Sequence, residues 1–497
     1  MNDYTPDWYP KESPKPTTPE PVSAEVVSAE TVNTEGLSAG TELVPLKQAL
    51  YTAPRDSRMR TSRRNFLGLA VAAGAAVAGG SYLLRNGDEV ASPTAAPQET
   101  TSSPAAEVDP PVMTNARPLP ASADVSNRTL VVVELQGGND GLATLVPREA
   151  GVLYDSRESV HIPDEELLAF TPEFGWNPRL AGLAGHGLAA VVGLGTMGNP
   201  DGSHFEMERR WWAGKSSGRD IPFTGFFGRL CDQLATDQPI TGVSIGSNAS
   251  PALRADNAVT IGLSDMRAGW FLQSEEPFYA NMRRAMNVMA TGSDMPATMS
   301  GDSMNQRMTG ARSGLSDTLS FGRTLAEIDE DRIREAYPRH QLGDSFGAAS
   351  ELIRQEAGLR VIHITHGGFD THSNQLGTHN NLLEQLGDSM GAFLSDLEDS
   401  GHADSTLVCT TSEFGRRVTE NRGGTDHGQA GMAILSGPVN AGVHGEAPSL
   451  TNLDDGNLVA TVDFEQYYST IAEQWFGIPS SEVLDSGAAP IEGLLAT

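Results

Sequence analysis

Five short runs of apolar, β-branched residues dominate the chain from Asn127 onward, at 129–135, 188–195, 360–365, 405–411 and 431–436. Runs of this length, bounded by Gly and polar residues, read as strands buried on both faces. Amphipathic helical stretches lie between them. The clearest places Leu383, Leu386, Met390, Phe393, Leu394 and Leu397 at helical spacing and stops near Gly401. Another, over 346–357, feeds directly into the strand at Arg360. Strands alternating with helices predict an α/β fold, with a mostly parallel sheet covered by helices on both faces.

The rest of the chain has a different character. Residues 1–58 are rich in Pro, Glu, Ser and Thr, and are expected to be disordered because they offer little apolar surface to offset ordering entropy. Arg60-Thr61-Ser62-Arg63-Arg64-Asn65-Phe66-Leu67 then precedes an uncharged run over 66–84, which resembles a twin-arginine export signal within 59–90. That run is about 19 residues, roughly 28 Å as a helix, so membrane anchoring through 66–84 is the alternative. Its Ala and Gly content favours the signal. Met59 offers a compact start for it. Residues 91–126 read as a Pro/Ala/Ser/Thr-rich linker, leaving 127–497 as the folded domain, with a Met-rich insertion at 282–312.

Charge and cysteine content narrow the function classes. Lys and Arg number 34 against 64 Asp and Glu, a formal charge of −30. Such a field repels nucleic acid and anionic lipid. The two cysteines, Cys231 and Cys409, are too few for a disulfide scaffold or a thiolate cluster.

Acidic and imidazole residues gather where the predicted strands end. Asn139 and Asp140 follow the first strand. Asp370 and His372 follow the third, Glu413 with Arg416 and Arg417 follows the fourth, and Asp426 with His427 precedes the fifth. Open α/β sheets bind ligands at the carboxyl ends of their strands, and converging carboxylates and imidazoles suit a divalent metal. Each piece has a plainer alternative. Asp140 alone reads as a helix N-cap, Glu413 with Arg416 as an ion pair one helical turn apart, and Asp370 with His372 as a loop hydrogen bond. Ser203, with Glu206 three residues on, reads as a capping box. The same Ser203 stands at a helix N-terminus, where a phosphate or sulfate would be held.

The series VELQGGNDGL, SHFE, GGFDTHSNQ, SEFGRR and GGTDHG, in this order over 128–497, resembles a large uncharacterised bacterial family. Its members are typically exported by the twin-arginine route, and it is grouped with the alkaline-phosphatase-like and sulfatase superfamily. The resemblance implies an alkaline-phosphatase-like three-layer sandwich and a metal-dependent hydrolase of phosphate or sulfate esters. Metal ligands would come from Asp140, Asp370, His372, Glu413, Asp426 and His427, holding Zn, Mn or Mg. Arg416 or Arg417 would steady a small anionic ester. In the related phosphoglycerate mutase motif the nucleophilic Ser aligns with Pro200, so the attacking group is Ser203, a water activated by the metal, or absent. The last case would make the chain an exported binding or assembly protein on the same scaffold. The resemblance also implies handling by the twin-arginine translocation machinery and an extracellular or cell-envelope location.

Overall fold

The computed structural model describes residues 125–198, 200–234, 240–246, 248–264, 277–291 and 302–496. The N-terminal extension, the export signal or anchor and all but the last two residues of the linker lie outside the described residues.

Among the described residues, nine strands form the central sheet: β1 (Thr129–Gln136), β2 (Leu188–Gly195), β3 (Gly242–Ile245), β4 (Thr260–Leu263), β5 (Val361–Gly367), β6 (Thr406–Thr411), β7 (Gly431–Ser436), β8 (Gly442–His444) and β9 (Val462–Asp463). Their order is β8-β2-β7-β6-β1-β5-β3-β4, with β9 also pairing β2. Every pairing is parallel except those of β7, which runs antiparallel to β2 and β6. The five apolar runs are β1, β2, β5, β6 and β7. Strands β3, β4, β8 and β9 have too few apolar residues to declare themselves.

Alternation along β1 divides the interior in two. Val131, Val133 and Leu135 join a core with Phe346 of helix α3 (Gln341–Arg354) and with Leu383, Met390 and Phe393 of α4 (Gln375–Ser400). Leu130 and Val132 face the opposite core, with Trp211 of α1 (His204–Ala213), Phe226 of α2 (Phe226–Gln233) and Tyr468 of α5 (Phe464–Thr470). Successive strand residues point to opposite faces, so one strand serves both layers. Helices on both faces of the mostly parallel sheet give a three-layer α/β arrangement. The six apolar residues predicted on one helix face are all buried along α4, which ends at Gly401 with φ +78°. The region of the Met-rich insertion carries helices Pro277–Thr291 and Asp302–Ala326, with 292–301 outside the described residues. No helix among the described residues is long and apolar enough to cross a membrane.

The parallel strands β1, β2, β5 and β6 end at one edge of the sheet, where antiparallel β7 begins. The loops that leave this edge carry the polar clusters. One of them contains a two-stranded hairpin, Arg416–Glu420 with Thr425–His427.

Candidate metal centre

Two glycines allow these loops to approach closely. Gly137, after β1, has φ +116° and lies so close to the Asp370 backbone that a side chain there would collide with it. Gly424 of the hairpin likewise lies against the His372 backbone, which a Cβ would overlap. Glycine is needed at such approaches because any Cβ would force the loops apart.

Three imidazoles surround one oxygen of Asp370. His427 Nε2 and His372 Nε2 each lie 3.0 Å from Asp370 Oδ1, and His204 Nε2 lies 3.4 Å from it. The Nε2 atoms of His372 and His427 are 2.9 Å apart. His204, Asp370 and His427 offer ligand atoms all within 4.8 Å of one another, a spacing that could hold a metal ion.

Each imidazole turns its other nitrogen to an oxygen. His204 Nδ1 is 2.7 Å from Glu413 Oε1, His427 Nδ1 is 2.7 Å from the Gly202 carbonyl, and His372 Nδ1 is 3.5 Å from Asp426 Oδ1. A carbonyl only accepts, so His427 Nδ1 donates to Gly202, leaving Nε2 turned to Asp370. His204 Nε2 is buried without a hydrogen-bond partner. Three ring nitrogens therefore converge on one carboxylate oxygen. Imidazoles backed at Nδ1 by carboxylate or carbonyl are the usual form of a histidine metal ligand. The donor set fits a divalent ion.

Electrostatics agree with this arrangement. Burial works against ionisation of Asp370, but hydrogen bonds from Arg416 and His427 outweigh it and hold the carboxyl well below the usual carboxylate range. The Glu413 hydrogen bond raises His204, against the opposing effect of burial.

The structure sorts the residues expected to bind metal into three groups. Asp370, His372 and His427 come together. Glu413 and Asp426 stand behind imidazoles: Glu413 is buried, also accepts from the Gly137 N–H at 2.9 Å, and orients His204, while Asp426 faces His372. Asp140 lies apart from the cluster. It is fully buried, with Oδ1 accepting from the Leu142 and Ala143 N–H groups as a helix N-cap and Oδ2 accepting from Arg157 at 2.8 Å and from Gln375 at 2.5 Å. His204, which sequence reasoning left out of the ligand set, is the added member. Its neighbours Ser203 and Phe205 to Glu206 gave it the look of a capping segment.

Arg416 is fully buried and donates to the carbonyls of Gly138 (2.8 Å), Thr425 (2.8 Å), Phe369 (3.0 Å) and Gly137, and to Asp370 Oδ1 (2.9 Å). The expected grip on an anionic ester is corrected here: its donors already tie three loops together and fix Asp370. Arg417 is partly exposed, 3.9 Å from Asp455. Ser203 occupies the N-cap position of α1, yet its side chain makes no capping bond, and Glu206 pairs with Arg209 and Arg210. The capping-box expectation fails because Glu206 has stronger, charged partners. The exposed Ser203 stands between Gly202, which holds His427, and His204.

A family model described as a protein of unknown function, DUF1501, matches residues 326–472. The matched stretch contains Asp370, His372, Glu413, Arg416, Asp426 and His427, but not Ser203 or His204. No curated protein matches the sequence. Among solved structures, the chain is similar to a lipoteichoic acid synthase from Listeria monocytogenes, at 9% identity and TM-score 0.36, covering 74% of this chain and 76% of that one. It is also similar to a sulfatase from a Pseudoalteromonas species, at 13% identity and TM-score 0.30, covering 74% and 73%. A phosphonate monoester hydrolase from Silicibacter pomeroyi is similar at 10% identity and TM-score 0.28, covering 74% and 77%.

Proposed function

We propose that this chain is a metal-dependent hydrolase of phosphate or sulfate esters, exported to the cell envelope or beyond by the twin-arginine route. The observation that carries the reading is the convergence of three imidazole Nε2 atoms on Asp370 Oδ1, each ring backed at Nδ1 by an oxygen. His204, Asp370, His372 and His427 would hold the ion. Three imidazoles with one carboxylate favour Zn over Mg. When bound, such an ion supplies Lewis-acid charge that polarises an ester and acidifies a nearby hydroxyl or water.

The protein's own residues support that chemistry by positioning. Glu413 and the Gly202 carbonyl set the tautomers of His204 and His427. Arg416 keeps Asp370 ionised and in place. Ser203, exposed beside two of the ligands and capping nothing, is the side chain best placed to act as nucleophile. Its replacement by Ala separates attack by the hydroxyl from attack by water.

The test is metal content by elemental mass spectrometry on protein purified without chelator, alongside Asp370→Ala and His427→Ala. Turnover of p-nitrophenyl phosphate and sulfate is measured on the same samples. Near-stoichiometric metal and ester cleavage in the parent, both lost in the variants, is the expected result. Folded protein that refuses added Zn, Mn and Mg overturns the reading. Metal without turnover would instead support an exported binding protein on the same scaffold.

A further inference from the structure

At the same edge of the sheet, Arg416 also lines a cavity of about 170 Å³, partly open to solvent. Its walls come from Leu142 and Leu145 after β1, Val192 of β2, Met432 of β7, and Leu450 and Leu458 from the loop before β9. These residues belong to two different cores. Leu145, Val192 and Met432 pack in the core that includes α4, whereas Leu458, with Leu142 and Leu450 packed beside it, belongs to a smaller core containing Val146 and Val418. The cavity is the seam where the two cores fail to meet.

Protein interiors keep few voids larger than a water molecule. The lining is mainly apolar, and the volume is comparable with the roughly 150 Å³ engineered cavity that takes benzene, though this one opens to solvent. The charged residue in the wall does not alter this chemistry. Arg416 donates from Nε, Nη1 and Nη2 to backbone carbonyls and Asp370, so its charge is already engaged within the protein.

We propose that this cavity binds a small uncharged apolar molecule, of the size of one alkylated benzene ring. The site is separate from the metal cluster and does not depend on the hydrolase reading. Its occupant would touch the residue that fixes Asp370.

Titration of the full chain with p-xylene, followed by ligand-detected NMR, tests the assignment. Benzoate, similar in shape but charged, is the comparison probe. One saturable p-xylene site per chain is expected, with benzoate failing to bind. Leu142→Trp and Leu450→Trp, which fill the space from two walls, should each weaken p-xylene by at least about tenfold, as expected when the buried area is taken by the protein itself. Val152→Trp, which adds a ring at an exposed position elsewhere, should leave binding unchanged. Absence of saturable binding in the parent overturns the proposal. So does equal binding of benzoate, or p-xylene affinity retained in both filled variants.

Discussion

His372 Nε2 and His427 Nε2 face each other at 2.9 Å, with Asp370 Oδ1 3.0 Å from both. Two neutral imidazoles protonated at Nδ1 would oppose lone pairs across that gap. The proposed function places a cation between them, which would remove that repulsion, whereas a ring protonated at Nε2 would instead give a mutual hydrogen bond. His372→Ala and His427→Ala should each weaken Zn binding beyond the about 10–100-fold typical of losing an outer partner. Competition with a chromogenic chelator reads the loss. Unchanged affinity in either variant would remove that ring from the site.

Glu413 touches His204 at Nδ1 and the Gly137 N–H, and is not placed to bind the ion itself. Glu413→Gln keeps a group that can accept from both donors but removes the charge. Metal affinity should fall by about 10–100-fold while the variant remains folded. Glu413→Ala leaves the buried Gly137 N–H and His204 Nδ1 unpaired, and should lower unfolding free energy by about 1–3 kcal/mol in denaturant titration.

Asp140 makes the opposite prediction. It caps a helix and pairs with buried Arg157, so Asp140→Ala strands a guanidinium in the interior. Breaking a buried pair from one side costs about 3–5 kcal/mol. Stability should drop accordingly, while metal per folded chain stays at the parent level. Loss of metal from folded Asp140→Ala protein would return Asp140 to the ligand set.

His379 is buried on α4 and bonds Asn139 Oδ1 at 3.0 Å; burial pushes its pKa down from 6.5 to about 4. The folded state therefore resists a proton that the unfolded chain accepts. This contribution to stability is complete above pH 6.5, declines as pH falls from there, and is gone once the folded ring titrates near 4. His379→Gln should flatten the stability profile between those values. Denaturant midpoints collected across that range check it, and a parallel slope in the variant would exclude His379 as the source.

The sheet was legible wherever burial on both faces made a continuous apolar run. β2 and β7 occupy 188–195 and 431–436 as predicted, and α4 buries the predicted stripe through Leu397. Strand β8 was not legible, because three half-buried residues at the sheet edge carry no pattern. The site was legible as a set of strand-end loops, since Gly137 and Gly424 signal close approach. Which atoms meet was not legible: His204 lies 166 residues before Asp370, and only the packing of α1 beside the hairpin brings them to 3.4 Å.

By itself the sequence determined the layered α/β architecture and the edge at which polar groups would gather, because both follow from local periodicity and from where glycine interrupts it. The tertiary structure decided the roles. A carboxylate gathers three imidazoles, supports one of them, or caps a helix according to which groups reach its oxygens. Asp370, Glu413 and Asp140 are chemically alike, and each acquired its partners from segments distant along the chain.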